Sequence, residues 1–166
     1  APDRVLYLGT TSKVLSPAVR VGWLVVPPEL RDEVIAWRLS FGGAPSNLTQ
    51  LALAEYLRSG AFDRGLSRMR KRCAAQRAAM IKALGSAAPE LTTTGVEAGL
   101  HVTVRVDDLA PWKLVVAGQS RGLQVAACDA GPDALLLLGF GRIEPSAAGG
   151  VAREVVDLVG AARALG

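Results

Sequence analysis

Apolar residues form short continuous runs near the start of the chain. Residues 5–9 and 20–26 are nearly continuous apolar runs bounded by polar residues, and Pro27 and Pro28 end the second run. Short runs of this kind predict strands that are buried. Because continuous apolar strands are typical of sheets covered by helices on both faces, these two runs indicate an α/β fold.

Helical spacing of apolar residues follows over the next part of the chain. The helix predicted over residues 28–40 starts with a proline, which suits the first helical position, and the turn-rich residues 41–46 follow it as a hinge,. A second helix is predicted over residues 47–59 and is ended by Gly60. The longest helix is predicted over residues 62–84. Its apolar face recurs at spacings of three and four residues and consists of Phe62, Leu66, Met69, Cys73, Gln76 and Met80,.

The spacing changes again at the sequence GSAAPE, which is expected to end the long helix,. Residues 99–106 alternate between apolar and polar positions, which predicts a strand with one wet face. Leu100, Val102, Val104 and Val106 form its apolar face. The remaining predicted elements are strands over residues 123–127 and 134–140 and helices over residues 110–122 and 151–165.

These elements divide the chain into two lobes. Residues 1–45 are expected to supply strands and a helix to a larger sheet, residues 46–60 to form a connecting helix, and residues 61–166 to form a small α/β domain. The first lobe is too small to close a sheet, and the chain begins almost inside a strand, so we expect further sequence before it. We therefore expect exposed apolar surface on the first lobe and association into dimers or larger species.

Composition and charge narrow the class of protein. Half of the residues are hydrophobic and a fifth are charged, which is a globular composition,. Cys73 and Cys128 form no CxxC pair, and only His101 could join them, so a metal site is not expected,. His101 alternates with the apolar positions of its strand and is expected at the surface. Neither a signal peptide nor a membrane-spanning run is apparent, which predicts a cytoplasmic protein without membrane contact.

The net charge of +4 and the basic residues of the longest helix permit an anionic partner,. Because no aromatic residue is interleaved with these basic residues, we interpret them as a solvated helix face. Sequence-specific DNA binding by this chain is therefore not expected, and only weak, salt-sensitive binding is allowed.

The stretch TTSKVLSPAVRVGW, residues 10–23, carries the chemistry that stands out. A phosphate group needs several hydrogen-bond donors and compensating positive charge, which the hydroxyls of Thr10, Thr11 and Ser12 and the guanidinium of Arg20 could supply,. The amine of Lys13 could react with an aldehyde. A phosphorylated aldehyde cofactor needs both features in one place, and pyridoxal phosphate is that cofactor.

This stretch resembles the lysine segment of fold-type I, aspartate aminotransferase-like enzymes, in which Ser/Thr-x-Ser-Lys precedes Pro-Gly-x-Arg-x-Gly. Farther along, residues 50–84, GLHVTV and LLLLGFGRIEP resemble the MocR type of GntR-family transcriptional regulators. In those regulators a winged-helix DNA-binding domain is fused to an aminotransferase-like domain. The resemblance covers essentially the whole chain and corresponds to the C-terminal part of such a protein.

The resemblance assigns roles to individual residues. Lys13 matches the lysine that carries the cofactor, Thr10 and Ser12 match the hydroxyl positions before it, and Arg20 matches the phosphate-binding arginine. Ala18 occupies a position that is often glycine in the family, which predicts a slightly stiffer loop. In the family, the acidic partner of the pyridine nitrogen and the aromatic residue that stacks on the ring come from sequence N-terminal to this segment.

The resemblance also leaves the substrate site incomplete. Aminotransferases hold the substrate carboxylate with an arginine three residues before an aromatic residue, and Leu137 occupies that place before Phe140. Arg142 is the nearest candidate, but in a regular strand its side chain would point to the opposite face. Amino-acid transamination is therefore in doubt.

Three functions remain open from the sequence. The chain can be part of the effector domain of a MocR-type regulator that binds pyridoxal phosphate and responds to an amine or amino acid, with DNA bound by an upstream domain. It can instead be a truncated aminotransferase, or a degenerate lobe kept for dimerisation. In each case the 166-residue chain alone is expected to bind the cofactor weakly or not at all and to have no transaminase activity.

Overall fold

The computed structural model describes residues 4–94 and 99–165 of the chain. These residues form two compact units, Ala1–Arg68 and Met69–Gly166. The boundary between the units falls within the longest helix, α3 (Ala61–Ala87).

The first unit contains a β-hairpin followed by helices. Strands β1 (Tyr7–Thr10) and β2 (Gly22–Val25) pair antiparallel, with Tyr7 opposite Val25 and Thr10 opposite Gly22. The connection between them includes a short 3-10 turn, Pro17–Val19. After a second 3-10 turn come helix α1 (Arg31–Ser40), an irregular segment over residues 41–46, and helix α2 (Asn47–Arg58). The predicted strands and helices of this unit are therefore present, and Gly60 ends α2 with a φ of 67°.

The predicted burial of these first strands is wrong for this chain. The large apolar side chains of the hairpin are between 44% and 77% exposed: Tyr7, Leu8, Trp23, Leu24 and Val25. Within the described residues, β1 and β2 pair only with each other. Their sequences are apolar like those of buried strands, but no layer formed by these residues buries them,. Helix α1 is likewise exposed at Ile35 and Trp37. The expectation of exposed apolar surface on the first lobe is confirmed.

The second unit packs helices against a four-stranded antiparallel sheet with the strand order β3-β4-β6-β5. Its elements after α3 are β3 (Thr92–Thr94), β4 (His101–Val106), α4 (Pro111–Ser120), β5 (Ala126–Ala130), β6 (Asp133–Gly139) and α5 (Ala148–Arg163). Three of the four strands were predicted; the short strand β3 was not, and β5 begins three residues later than expected.

The hydrophobic core lies in this second unit. Val102, Val104 and Val106 are buried as their alternation predicts, whereas Leu100 lies before the strand and is 38% exposed. The helix predicted over residues 151–165 is present as α5, which buries Val155, Leu158, Val159 and Ala162. His101 is exposed, as expected.

Helix α3 extends farther than predicted. Gly85 lies inside the helix, which ends at Ala87 just before Ala88 and Pro89. A glycine in a helix costs only about 1 kcal/mol relative to alanine, and packing of buried Met80 and Leu84 in the core outweighs that cost,. No helix in the part of the chain that the structure describes is long and apolar enough to cross a membrane.

Candidate functional site

The loop between β1 and β2 is closed at its base by Thr11. The backbone N–H of Thr11 donates a hydrogen bond to the Val21 carbonyl at 3.0 Å, and its Oγ1 donates to the same carbonyl at 2.8 Å. The side chain is 4% exposed. Because Thr11 and Val21 are joined, their neighbours Ser12 and Arg20 lie on the two sides of the loop base. The Thr11 hydroxyl closes the base of the loop, and its role as a phosphate donor stays a prediction.

Lys13 lies in the turn that begins at Thr11. The Thr11 carbonyl accepts hydrogen bonds from the N–H groups of Val14 at 3.2 Å and Leu15 at 2.8 Å, so the chain reverses across Lys13. The Lys13 side chain is exposed. Among the described residues, its amine has no hydrogen bond or ion pair, and it is accessible to a ligand.

Two hydroxyls come together immediately before this lysine. The Thr10 hydroxyl donates to Ser12 Oγ at 3.1 Å, and the Ser12 N–H donates to Thr10 Oγ1 at 3.2 Å. Thr10 is exposed and Ser12 is half-buried. The predicted pair of hydroxyl positions therefore forms one small polar cluster beside Lys13.

Arg20 adopts an unusual backbone conformation on the other side of the loop base. Its φ is 53° and its ψ is 32°, in the left-handed region, which costs on the order of 1 kcal/mol for a residue with a Cβ,. Hydrogen bonds hold the chain on both sides: Ser16 Oγ accepts from the Ala18 N–H at 3.2 Å, and the Val21 carbonyl is bound by Thr11. The Arg20 side chain is exposed and has no ion pair among the described residues.

The alanine at position 18 fits the loop without strain. Ala18 lies in the 3-10 turn Pro17–Val19, and the non-glycine residues with a positive φ in the described chain are Arg20 and Asp108. The conformational freedom of a glycine is therefore not needed at this position, and the expected departure from the family pattern has no visible cost in backbone geometry.

The donor set of this loop fits a phosphorylated aldehyde. Two hydroxyls, an unpaired guanidinium and an unpaired amine lie within one short loop, and the two cationic groups have no carboxylate partner among the described residues. A phosphate monoester is held by such donors together with a compensating positive charge. The amine is the group that could react with an aldehyde.

Sequence reasoning missed two residues that support this loop, Gly9 and Trp23. They are direct partners across the hairpin, and a Cβ on Gly9 would overlap the indole ring of Trp23. A glycine inside a strand that also carries large apolar residues is the signal that could have found this contact, because it marks a close approach of another group.

Arg142, the candidate for the substrate carboxylate, lies outside the strand that was expected to carry it. Strand β6 ends at Gly139, and Arg142 lies in an exposed turn. The prediction that the Arg142 side chain points to the face opposite Leu137 assumed that one strand contains both residues. That assumption is wrong. Within the described residues the Arg142 side chain has no hydrogen bond or ion pair, and its role stays a prediction.

Comparison with known proteins gives a family match over most of the chain. The family model of class I and II aminotransferases matches residues 1–147. The match includes the loop that carries Lys13 and Arg20, the helices that follow it and the sheet of the second unit.

Curated relatives of the chain include transcriptional regulators. The chain is 34% identical to the HTH-type pyridoxine biosynthesis transcriptional regulator PdxR of Corynebacterium glutamicum, over 96% of this chain and 36% of that protein. It is 33% identical to the probable rhizopine catabolism regulatory protein MocR of Rhizobium meliloti, over 86% of this chain and 30% of that protein. The chain thus spans about a third of the length of these relatives.

Solved structures with the same fold include aminotransferases. The α-aminoadipate aminotransferase LysN of Thermus thermophilus, solved as a complex with N-(5′-phosphopyridoxyl)-L-leucine, matches with a TM-score of 0.83 and 24% identity. The match covers 98% of this chain and 43% of LysN. At this identity the similarity supports the fold of the chain and not its reaction.

Proposed function

The chain belongs to the family of class I and II aminotransferases, and we propose that it is part of the effector-sensing domain of a MocR-type, GntR-family transcriptional regulator. Its relatives PdxR and MocR support this proposal, since both are regulatory proteins that the chain matches over most of its own length. The observation that carries the proposal is the loop itself, in which Lys13 and Arg20 are exposed and unpaired beside the Thr10 and Ser12 hydroxyls.

Pyridoxal phosphate is the cofactor that we propose for this loop. The Thr10 and Ser12 hydroxyls would donate to the phosphate, Arg20 would neutralise its charge, and Lys13 would carry the aldehyde. When bound, the cofactor supplies an electron sink that activates bonds to an amine carbon. The two hydrogen bonds of Thr11 to the Val21 carbonyl close the base of the loop, which would hold these donors near one another before the cofactor binds,.

The domain assignment follows from this proposal. Residues 1–45 would be the C-terminal part of the large, cofactor-binding domain, residues 46–60 an interdomain helix, and residues 61–166 the small domain. The full regulator would be a cytoplasmic homodimer, and exposed apolar side chains such as Leu8, Leu39 and Leu48, each 77% exposed, are candidates for burial by other parts of the assembly,. DNA would be bound only by a separate upstream domain, and an amino acid or amine would be the effector.

The alternative function is transamination of an amino acid. The aminotransferase fold favours it, and Arg142 would then be the candidate for the substrate carboxylate. Leu137 argues against it, because this strand position of β6 carries no guanidinium to hold a carboxylate in two hydrogen bonds,. Regulation is therefore the function that we favour.

The experiment that tests the proposed function compares DNA binding with amino-group transfer in the full regulator. Binding to a duplex from upstream of its own gene is followed by fluorescence anisotropy, with pyridoxal phosphate and a panel of amino acids and amines. We expect one panel member to change the DNA affinity by about fivefold or more, and to do so only when Lys13 is intact. No more than one amino group should be transferred per protein chain.

The control is the Lys13→Ala variant of the same regulator, in which DNA affinity should no longer respond to the panel. Repeated transamination with no change in DNA affinity would establish the alternative function instead. A response that persists in Lys13→Ala would reject the assigned role of this lysine.

A further inference from the structure

We infer that Trp23, seated over Gly9, is a positioning residue for the loop that carries Lys13. This inference rests on the proposed function, since the reaction of Lys13 with a cofactor aldehyde is what the positioning would serve. Trp23 and Gly9 are not among the residues proposed to contact the cofactor, so the inference assigns them a separate, supporting role.

The first observation is the close approach of Trp23 to Gly9. The two residues are opposite each other in the hairpin. A Cβ built on Gly9 would come closer than 3.0 Å to the Trp23 ring atoms Cε2, Cζ2 and Nε1, a separation that real Cβ atoms essentially never show. The indole therefore lies across the backbone of β1, and only glycine leaves room for it.

The second observation is that Trp23 and the loop line the same cavity. Trp23, Thr10, Thr11 and Val14 form one side of a cavity of about 220 Å³. Its other lining residues come from α2 and the start of α3: Leu53, Leu57 and Phe62. Val14 directly follows Lys13, so the turn that carries the lysine rests at the edge of this apolar space next to the indole.

The third observation is that, among the described residues, the hydrogen bonds between β1 and the Lys13 turn go only to Thr10 and Thr11. Thr11 is the buried anchor that accepts from Val14 and Leu15, and Thr10 is joined to Ser12. Beyond these two residues, the orientation of the turn relative to β1 depends on how the cavity lined by Val14 and Trp23 is filled. Removing the indole would enlarge a space that is already unfilled, and the turn could move into it.

The test is a double-mutant cycle in the full regulator with pyridoxal phosphate as the probe. Variants Gly9→Ala, Trp23→Ala and the double variant are titrated by absorbance, and the pH profile of the bound cofactor's absorption is recorded for each. We expect each single variant to weaken cofactor binding by about tenfold, since displacements near 1 Å at a reacting group have effects of this size or larger, and to shift the pH profile. The double variant should bind no more weakly than Trp23→Ala, because Gly9→Ala acts only through the indole.

Two controls separate positioning from loss of fold. Gly139→Ala changes another strand glycine, whose added Cβ would meet no atom within 4 Å, and should leave affinity and pH profile unchanged. Trp23→Phe keeps an aromatic ring and should restore most of the affinity. It also provides a folded variant for comparison if Trp23→Ala does not fold.

The outcomes are distinct. Additive losses from Gly9→Ala and Trp23→Ala, an unchanged pH profile in the single variants, or full affinity in Trp23→Ala would each overturn the inference. An absorption band of lysine-bound cofactor that survives in a parallel Lys13→Ala variant would instead overturn the function proposed for Lys13, and this inference with it. Loss in Lys13→Ala with full affinity in Trp23→Ala would reject the inference alone.

Discussion

At the scale of single residues, Asp133 stabilises the turn that leads from β4 into α4. Its Oδ1 accepts a hydrogen bond from the Asp108 N–H at 3.0 Å, and its Oδ2 accepts from Arg105 Nε at 2.8 Å. Asp108 has a φ of 51°, so the buried carboxylate holds a residue in the left-handed region,. The hydrogen bond from Asp108 and the Arg105 guanidinium together hold the pKa of Asp133 below its ordinary value,.

This depressed pKa predicts an acid-sensitive stability. The carboxylate stabilises the folded second unit fully above the pKa that Asp133 has in the unfolded chain, near 3.8. As the pH falls through the lower pKa of the folded state, that contribution is lost. We expect Asp133→Asn to lower the free energy of unfolding at pH 6, and the difference from the unsubstituted chain to shrink steadily below about pH 4. Urea unfolding at a series of pH values measures both effects.

Asp129→Asn is the matched control for this prediction. Asp129 is exposed on the neighbouring strand β5 and has no ion pair among the described residues. Because its side chain is exposed and has no such partner, its substitution should leave the free energy of unfolding at pH 6 unchanged. An Asp133→Asn variant whose stability deficit is the same at pH 3 and pH 6 would contradict the role given to this carboxylate.

Residues with a local signature could be given candidate roles from the sequence, whereas residues defined by a distant partner could not. Thr10, Ser12, Lys13 and Arg20 stand within one stretch, so their spacing could be interpreted directly. The contacts of Gly9 with Trp23 and of Asp133 with Arg105 depend on strand register, which joins residues that are far apart in sequence,. The hydrogen bond of Thr11 was missed for the same reason, because its partner Val21 is ten residues away.

At the scale of elements, the end of α4 illustrates a local signal that determines structure. The Gly122 N–H donates to the Gln119 carbonyl at 3.1 Å, and the Leu123 N–H donates to the Gly118 carbonyl at 2.8 Å. With a φ of 72° at Gly122, this is a Schellman motif,. Gly122 therefore ends the helix that the sequence predicts over residues 110–122.

This motif predicts opposite effects for two glycine substitutions. Gly122→Ala forces a Cβ into the left-handed conformation and should destabilise the second unit by about 1–2 kcal/mol. Gly160→Ala places a Cβ in open space on α5 and should stabilise it by about 0.5–1 kcal/mol,. Urea unfolding of both variants measures the free energies. If the two substitutions shifted stability in the same direction, the conformational argument would be wrong.

Elements with a clear apolar period were predicted, and those without one were missed or shifted. Helix α5 and strand β4 follow their patterns closely. Strand β3 consists of three threonines with no apolar alternation. It forms by antiparallel backbone pairing with β4. The start of β5 is set by its pairing with β6, from Ala126 opposite Leu137, and not by its own apolar residues,.

At the scale of the whole molecule, the two units differ in how their apolar residues are used. The described residues of Ala1–Arg68 bury only Thr11 and Pro27, whereas Met69–Gly166 contains the hydrophobic core. Apolar periodicity predicts which face of a helix or strand is suited to burial. It does not predict whether the residues that cover that face belong to the same chain. That is why the elements of the first unit were predicted correctly and their burial was not.

The exposed first unit also determines how tightly this chain alone is expected to bind the cofactor. The loop of the first unit offers groups for a phosphate and an aldehyde, but the family resemblance assigns contacts with the pyridine ring to sequence outside these 166 residues. Without ring contacts, much of the binding energy for the cofactor is missing. We therefore expect the 166-residue chain to bind pyridoxal phosphate at least about tenfold more weakly than the full regulator.

The measurement that tests the central claim most directly locates the cofactor on the chain. Pyridoxal phosphate is titrated into the full regulator, its Lys13→Ala variant and the 166-residue chain, and the absorption band of the lysine-bound cofactor is followed. Each sample is then reduced with borohydride and mapped by peptide mass spectrometry. We expect a label on the Lys13 peptide of the full regulator, no lysine-bound band in Lys13→Ala, and much weaker binding by the 166-residue chain. A band that persists unchanged in Lys13→Ala, with the label on Lys71, Lys82 or Lys113, would contradict this expectation.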